Sequence, residues 1–283
     1  MRVTHEGKDW IFVADAHFTG RKLGEMDSFL AFLDAEKERI DHLILQGDLF
    51  EFFFGFKQFS STKSSTSQEK VFPFGDYLPV FQKLQQLSRQ GIRIKYFEGN
   101  HDFCLASFFW EYFGMEVEVC EDGCEERLGG RRTYVAHGDL SNPSEWRYRF
   151  FRKLIKNRLT YGLIQLVGPR SVLRVARELN ELSYRWYHGS DHPKSSTAFK
   201  AFAHQKFLEG FEVVILGHSH SPEVAEEWVD GRRCTYFNVG DWMTHQSFLR
   251  FTPPEDFRLG RFEEVRPLDS SHGDQSLCRI DGR

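Results

Sequence analysis

Leu43-Ile44-Leu45-Gln46-Gly47-Asp48-Leu49-Phe50-Glu51 is the stretch whose reading decides the fold. A short apolar run, 43–45, breaks off at a glycine followed by an aspartate. Such a run reads as a buried strand, and the glycine suits a chain that turns sharply at the strand end. The same pattern recurs along the chain. Run 11–14 leads into Asp15-Ala16-His17, and run 92–97 into Gly99-Asn100-His101-Asp102. Run 133–136 leads into His137-Gly138-Asp139, and run 213–216 into Gly217-His218-Ser219-His220. A sixth run, 235–239, precedes Gly240-Asp241. Helical patterns at 26–39 and 77–90 separate the early runs. Alternating strands and helices predict an α/β layered fold with covered sheets. In such sheets sites gather at the carboxyl ends of strands, so five elements aim Asp, Asn and His at one rim.

Those residue types suit a pair of divalent cations. Two cations about 3.5–4 Å apart can clamp the attacking and leaving oxygens of a displacement at phosphorus. Such a pair needs a shared carboxylate, neutral imidazoles and an amide oxygen where charge must be limited. Mixed nitrogen and oxygen ligands suit Mn, Fe or Zn better than Ca. In Asp15-x-His17 and His218-x-His220 the alternate side chains fall on one side of an extended segment. His5, His42, His188, His204 and His272 lack ligand-type spacing and read as surface or core residues.

The motifs DAH, GDLFE, GNHD, HGD and GHSH, in that order, resemble those of the calcineurin-like metallophosphoesterases. The resemblance spans roughly residues 10–241. It implies a layered fold of two mixed β-sheets sandwiched by helices. It also implies a first metal held by Asp15, His17, Asp48 and His220, and a second held by Asp48, Asn100, His137 and His218. Asp48 would bridge, and a hydroxide between the metals would be the nucleophile. His101 matches the family's non-ligand histidine, which stabilises the phosphoryl transition state or protonates the leaving oxygen. Asp102 is expected to orient His101, and Glu51 and Asp139 to support the ligands.

Composition bounds the rest. The chain has 283 residues and a net charge of −4. No apolar run approaches the ~18 residues of a membrane span. Residues 1–10 lack a basic-then-apolar leader, so a cytoplasmic location is expected. Five scattered cysteines make no disulfide framework. Charge is uneven: residues 141–205 hold 12 Lys and Arg against 4 Asp and Glu, a net of +8. One domain is expected over 1–265, with 141–205 as a helical lid inserted between the HGD and GHSH motifs. A loose tail is expected at 266–283, and residues 59–70 read as a loop. Within the lid, 146–159 reads as a basic amphipathic helix, and a second apolar helix is expected at 171–187. Plain packing of the basic helix on the body is the competing reading.

The insertion makes the chain similar to the UDP-2,3-diacylglucosamine pyrophosphohydrolases of lipid A synthesis. That family's helical insertion at this point holds acyl chains. The resemblance implies hydrolysis of the pyrophosphate to UMP and diacylglucosamine 1-phosphate (lipid X), two Mn2+ ions, and peripheral attachment to the anionic inner face of the inner membrane. Arg152, Arg185, His192 and Lys194 are the candidates for phosphate or sugar contacts. His101 stands where one branch of that family has Arg. The 29 phenylalanines fit an acyl groove near the metal rim, or an aromatic core. Rival functions are a sister enzyme acting on another nucleotide or soluble phosphoester, a metal-binding scaffold, and nucleic-acid processing. Filled ligand positions oppose the scaffold. The acidic total, without an RNA-stacking motif, opposes nucleic acid.

Overall fold

The computed structural model describes residues 8–20, 24–55, 75–143, 146–167 and 196–262. Each predicted apolar run forms a strand. They are β1 (Asp9–Val13), β2 (Ile40–Leu45), β4 (Arg93–Phe97), β8 (Arg131–Val135), β9 (Val213–Leu216) and β11 (Arg232–Asn238). The two predicted helices are α1 (Asp27–Glu36) and α2 (Leu78–Arg89). Seven further strands lie outside the six runs. They are β3 (Phe53–Phe54), β5 (Asp102–Phe103), β6 (Val117–Cys120), β7 (Cys124–Leu128), β10 (Glu223–Val229), β12 (Ser247–Thr252) and β13 (Asp256–Arg261). Helix α3 (Phe108–Phe113) ends on Gly114 in the left-handed region, a usual helix stop.

Two mixed sheets lie face to face. One has the order β13-β12-β1-β2-β4-β6 and the other β10-β11-β9-β8-β7. β1, β2, β4 and β6 run parallel, as do β8, β9 and β11. The space between the sheets is filled by Phe12, Ile44, Phe97, Val135, Ile215 and Phe251. The outer face of the first sheet packs on α1, α2 and α3, and that of the second on α6 (Ser196–Leu208) through Phe199, Ala203 and Phe207. Helices therefore cover both outer faces, the layered α/β arrangement expected.

The phenylalanine cluster after Asp48 is core. Phe50, Phe53 and Phe54, which follow Asp48, are fully buried. The Phe53 ring lies 5.2 Å from Phe81 and 4.7 Å from Phe108. Each such ring is worth roughly 1.5–3 kcal/mol of burial. The groove reading of this cluster is therefore corrected, because its rings face one another under α2 and α3. Phe56 lies outside the described residues.

The expected basic helix is divided. α4 covers Trp146–Ile155 and α5 covers Arg158–Val167. Asn157 makes the break. Its Oδ1 accepts hydrogen bonds from the backbone N–H of Leu159 and Thr160, both at 2.9 Å, and so caps α5. The pair presents apolar side chains outward, with Phe150, Leu154, Leu159, Leu163, Leu166 and Val167 exposed. The basic reading of α4 is only half kept, because Arg152 and Lys156 turn towards the body. The loop at 59–70, the helix at 171–187 and the tail at 266–283 lie outside the described residues. Among the described residues no helix is long and apolar enough to cross a membrane.

Candidate metal centre

The parallel strands end at one rim, where short loops lace the two sheets together. The N–H groups of Asp15, His17 and Phe18 donate to the carbonyls of Gly47, Asp48 and Leu49. Gln46, fully buried, donates through Nε2 to the carbonyls of Ala136 at 3.0 Å and Ile215 at 3.2 Å, across to the second sheet. These bonds bring residues from four loops within reach of one another, and the N–H of His101, donating to Asp48 Oδ1 at 2.8 Å, ties in the fifth.

All seven expected ligand residues are assembled here. Asp15, Asp48, His137 and His218 offer atoms within 4.8 Å of one another, as do Asp15, His17 and His220, and also His17, Asp48 and His101. Asn100 joins them, with Oδ1 3.3 Å from Nε2 of His137. His137 Nε2 lies 3.4 Å from Asp48 Oδ2, and His220 Nε2 lies 3.4 Å from Asp15 Oδ1.

The backbone is forced into place. Asp15, His17, Asp48, His218 and His220 have φ of 53°, 46°, 53°, 63° and 60°. Such conformations cost non-glycine residues roughly 1–3 kcal/mol each and concentrate at functional sites. Gly99 answers a different demand. A Cβ there would lie 2.1 Å from Asp48 Oδ1, so only glycine lets the two loops close.

The donors fit divalent cations on their own chemistry. Asp15 Oδ1 and His17 Nε2 are buried without a hydrogen-bond partner. Buried polar atoms are normally satisfied, so the two point at a missing partner. Burial would raise the Asp15 carboxyl, but the imidazoles of His17 and His220 beside it and the nearby His137 hold it well below the carboxylate range. Burial would lower the imidazole of His17, but Asp15 and Glu51 hold it at about 10. Burial likewise opposes His137, which Asp48 holds at about 9. Two imidazolium protons thus stand in for positive charge the carboxylates demand.

Supporting groups fix the imidazoles. The carbonyl of Gln46 lies 2.7 Å from Nδ1 of His137, and that of Glu51 lies 2.7 Å from Nδ1 of His101. A carbonyl only accepts, so in each ring Nδ1–H donates and Nε2 is left for the site. Glu51 Oε2 lies 3.4 Å from Nδ1 of His17, in the supporting place expected. Asp241 was missed as such a residue. Its Oδ2 lies 3.8 Å from Nδ1 of His220. The signal was available, since Gly240-Asp241 ends the sixth apolar run as Gly47-Asp48 ends the second. Gln46 carried no such signal.

Two expectations are corrected. Asp102 does not face the His101 imidazole. Its carboxylate accepts from the N–H of Gly99 at 2.7 Å, from the N–H of Leu49 at 3.1 Å and from the Tyr96 hydroxyl. It pins the loops. Burial and the nearby Asp48 charge push its pKa up to about 6, against the bonds from Tyr96 and Gly99. Arg152, expected at substrate, is engaged by Asp139 Oδ2 at 2.7 Å and Asp122 Oδ1 at 2.8 Å. A guanidinium between two carboxylates serves the protein itself. Arg185, His192 and Lys194 lie outside the described residues.

The chain is similar to known proteins. The family model of calcineurin-like phosphoesterases matches residues 10–222. UDP-2,3-diacylglucosamine hydrolase of Yersinia pestis is 27% identical over 242 residues, covering 86% of this chain and 94% of that protein. The enzyme of the same description from Yersinia pseudotuberculosis serotype I matches to the same extent, 27% over 242 residues. Among solved structures, a novel archaeal phosphodiesterase aligns with a TM-score of 0.42 at 13% identity, over 89% of this chain and 98% of that one.

Proposed function

The chain belongs to the calcineurin-like phosphoesterases, and from that premise we propose that it hydrolyses the pyrophosphate of UDP-2,3-diacylglucosamine to UMP and diacylglucosamine 1-phosphate. The observation that carries the metal-dependent part is the pair of buried, unpartnered atoms Asp15 Oδ1 and His17 Nε2 inside the cluster. The likeness to the Yersinia hydrolases over 86% of the chain supports the substrate.

Asp15, His17, Asp48 and His220 would hold one divalent cation, and Asp48, Asn100, His137 and His218 a second. Bound cations would supply the charge that activates a water and offsets the charge growing on the phosphoryl oxygens. The nitrogen and oxygen donors suit Mn2+. His101 keeps its Nδ1–H on the Glu51 carbonyl, so Nε2 is its nitrogen for passing a proton to the leaving oxygen. Asp102 holds the loop that carries His101 and takes no part in proton transfer. The outward apolar residues of α4 and α5, Phe150 and Leu154 among them, suit acyl chains and the surface of an anionic membrane, on its cytoplasmic side.

The test is incubation of Mn2+-loaded protein with UDP-2,3-diacylglucosamine in detergent. UMP and lipid X formed at a catalytic rate, and lost in Asp48→Ala, are expected. Turnover of simple phosphoesters alone would keep the metal chemistry and overturn the lipid substrate, in favour of another nucleotide or soluble phosphoester.

A further inference from the structure

Tyr148, Arg152 and Lys156 recur every four residues along α4 and its end, so they share one helix face. That face meets two buried carboxylates. Lys156 Nζ lies 3.1 Å from Glu98 Oε2. Arg152 Nε lies 2.7 Å from Asp139 Oδ2, and the Tyr148 hydroxyl donates to the same oxygen at 2.6 Å. Glu98 is 2% exposed and Asp139 4%.

The two carboxylates occupy matching positions. Glu98 stands two residues before Asn100, and Asp139 stands two residues after His137. Asn100 and His137 are themselves in contact, with 3.3 Å between Oδ1 and Nε2. The helix therefore engages a carboxylate two residues from each. The other half of the centre has different supports, Glu51 beside His17 and Asp241 beside His220. A buried carboxylate stripped of its cation keeps an uncompensated charge, so the loop carrying it must shift or the carboxylate must take up a proton.

We propose that Tyr148, Arg152 and Lys156 are positioning residues for one half of the metal centre. By holding Glu98 and Asp139 they set the places of Asn100 and His137, and with them the affinity for one cation of the two. The inference rests on the two-cation reading above. It makes α4 part of the metal site's support as well as part of the insertion.

The test is binding of Mn2+ alone, followed by calorimetry and by competition with a fluorescent chelator, on the full chain stripped of metal. The wild type is expected to take up two ions. Arg152→Met and Lys156→Met are expected to weaken one ion about 10–100-fold, the range for groups that support metal ligands. The other ion should stay within about twofold on the same reasoning. Lys156→Arg should restore the weakened ion, and Tyr148→Phe should weaken it by less than the charge removals. Equal weakening of both ions, or two unchanged affinities, overturns the proposal. If the Met variants do not fold, Tyr148→Phe decides, and unchanged affinities there overturn it. A wild-type chain that binds no pair of ions overturns the two-cation reading and this inference with it. Two ions bound equally well by wild type and variants overturn the positioning role alone.

Discussion

The backbone carbonyl of Gln46 sits 2.7 Å from Nδ1 of His137 and so turns Nε2 of that ring towards Asp48, 3.4 Å away. One main-chain group on β2's exit thereby sets the tautomer of a histidine on β8's exit, 91 residues later. The consequences of such cross-loop contacts can be measured.

Asp48 belongs to two of the groups of ligand atoms, while His101 belongs to one and has its Nδ1 held by the Glu51 carbonyl. Asp48→Ala should therefore remove bound metal and activity together. His101→Ala should retain metal by elemental analysis yet lose about 10²–10⁴ in turnover, the usual worth of a proton donor. Loss of metal from His101→Ala would make it a ligand and refute the separation of roles.

Gly99→Ala places a methyl group 2.1 Å from Asp48 Oδ1. The loops carrying Asp48 and Asn100 must part, so metal affinity should fall at least tenfold, about 1.4 kcal/mol. Overpacking of this kind costs typically 1–3 kcal/mol of stability. Wild-type affinity in this variant, measured by chelator competition, would show that the loops yield without harm.

Metal-free protein should lose stability as pH rises. Burial opposes the charge on His17 and His137, but neighbouring carboxylates raise them to about 10 and about 9, above the ordinary 6.5. The folded state thus binds the extra protons. Their contribution is complete below pH 6.5 and disappears as pH climbs through 9 and 10. The Tm of chelator-treated protein should decline over that window. Metal-loaded protein should lack the decline, because ligating imidazoles are neutral. A flat profile without metal would refute the assignment.

Phe53 and Phe150 should behave oppositely. Phe53→Ala empties a fully buried site and should cost about 3–5 kcal/mol in denaturant unfolding. Phe150 is 66% exposed, so Phe150→Ser should stay within about 0.5 kcal/mol of wild type. It should instead raise KM for long-chain acyl substrate and spare small phosphoesters. An unchanged KM would take the outer face of α4 out of substrate binding.

The parts of the fold legible in the sequence are those buried on both sides. β2 and β9 read as continuous apolar runs because sheet lies against one face and helices against the other. β10 reads Glu-Val-Ala-Glu-Glu-Trp-Val, with only Val229 buried, and β13 lies at the wet edge of its sheet. Strands so charged and half-solvated leave only a weak alternation. At the rim, ligand-type residues were legible because glycine and strand ends mark them. The partners of Asp102 and Arg152 were not, because both depend on which loop arrives opposite. Asn157 did carry a local signal, as a helix-capping residue in mid-pattern, and it divides the expected helix.

β1 lies between β2 and β12, and Asp15, two residues beyond it, accepts a hydrogen bond at 2.7 Å from the N–H of His218, 203 residues further along. Ribosomes add about 5–20 residues per second, so roughly 10–40 s separate the two residues during translation. A nascent chain thus holds Asp15, His17 and Asp48 well before His218 and His220 exist. Any cation it meets in that interval finds half a coordination shell. The last two of the seven expected ligands therefore arrive only with the GHSH loop, and chains halted before it carry an acidic rim with no imidazoles from that side to neutralise it.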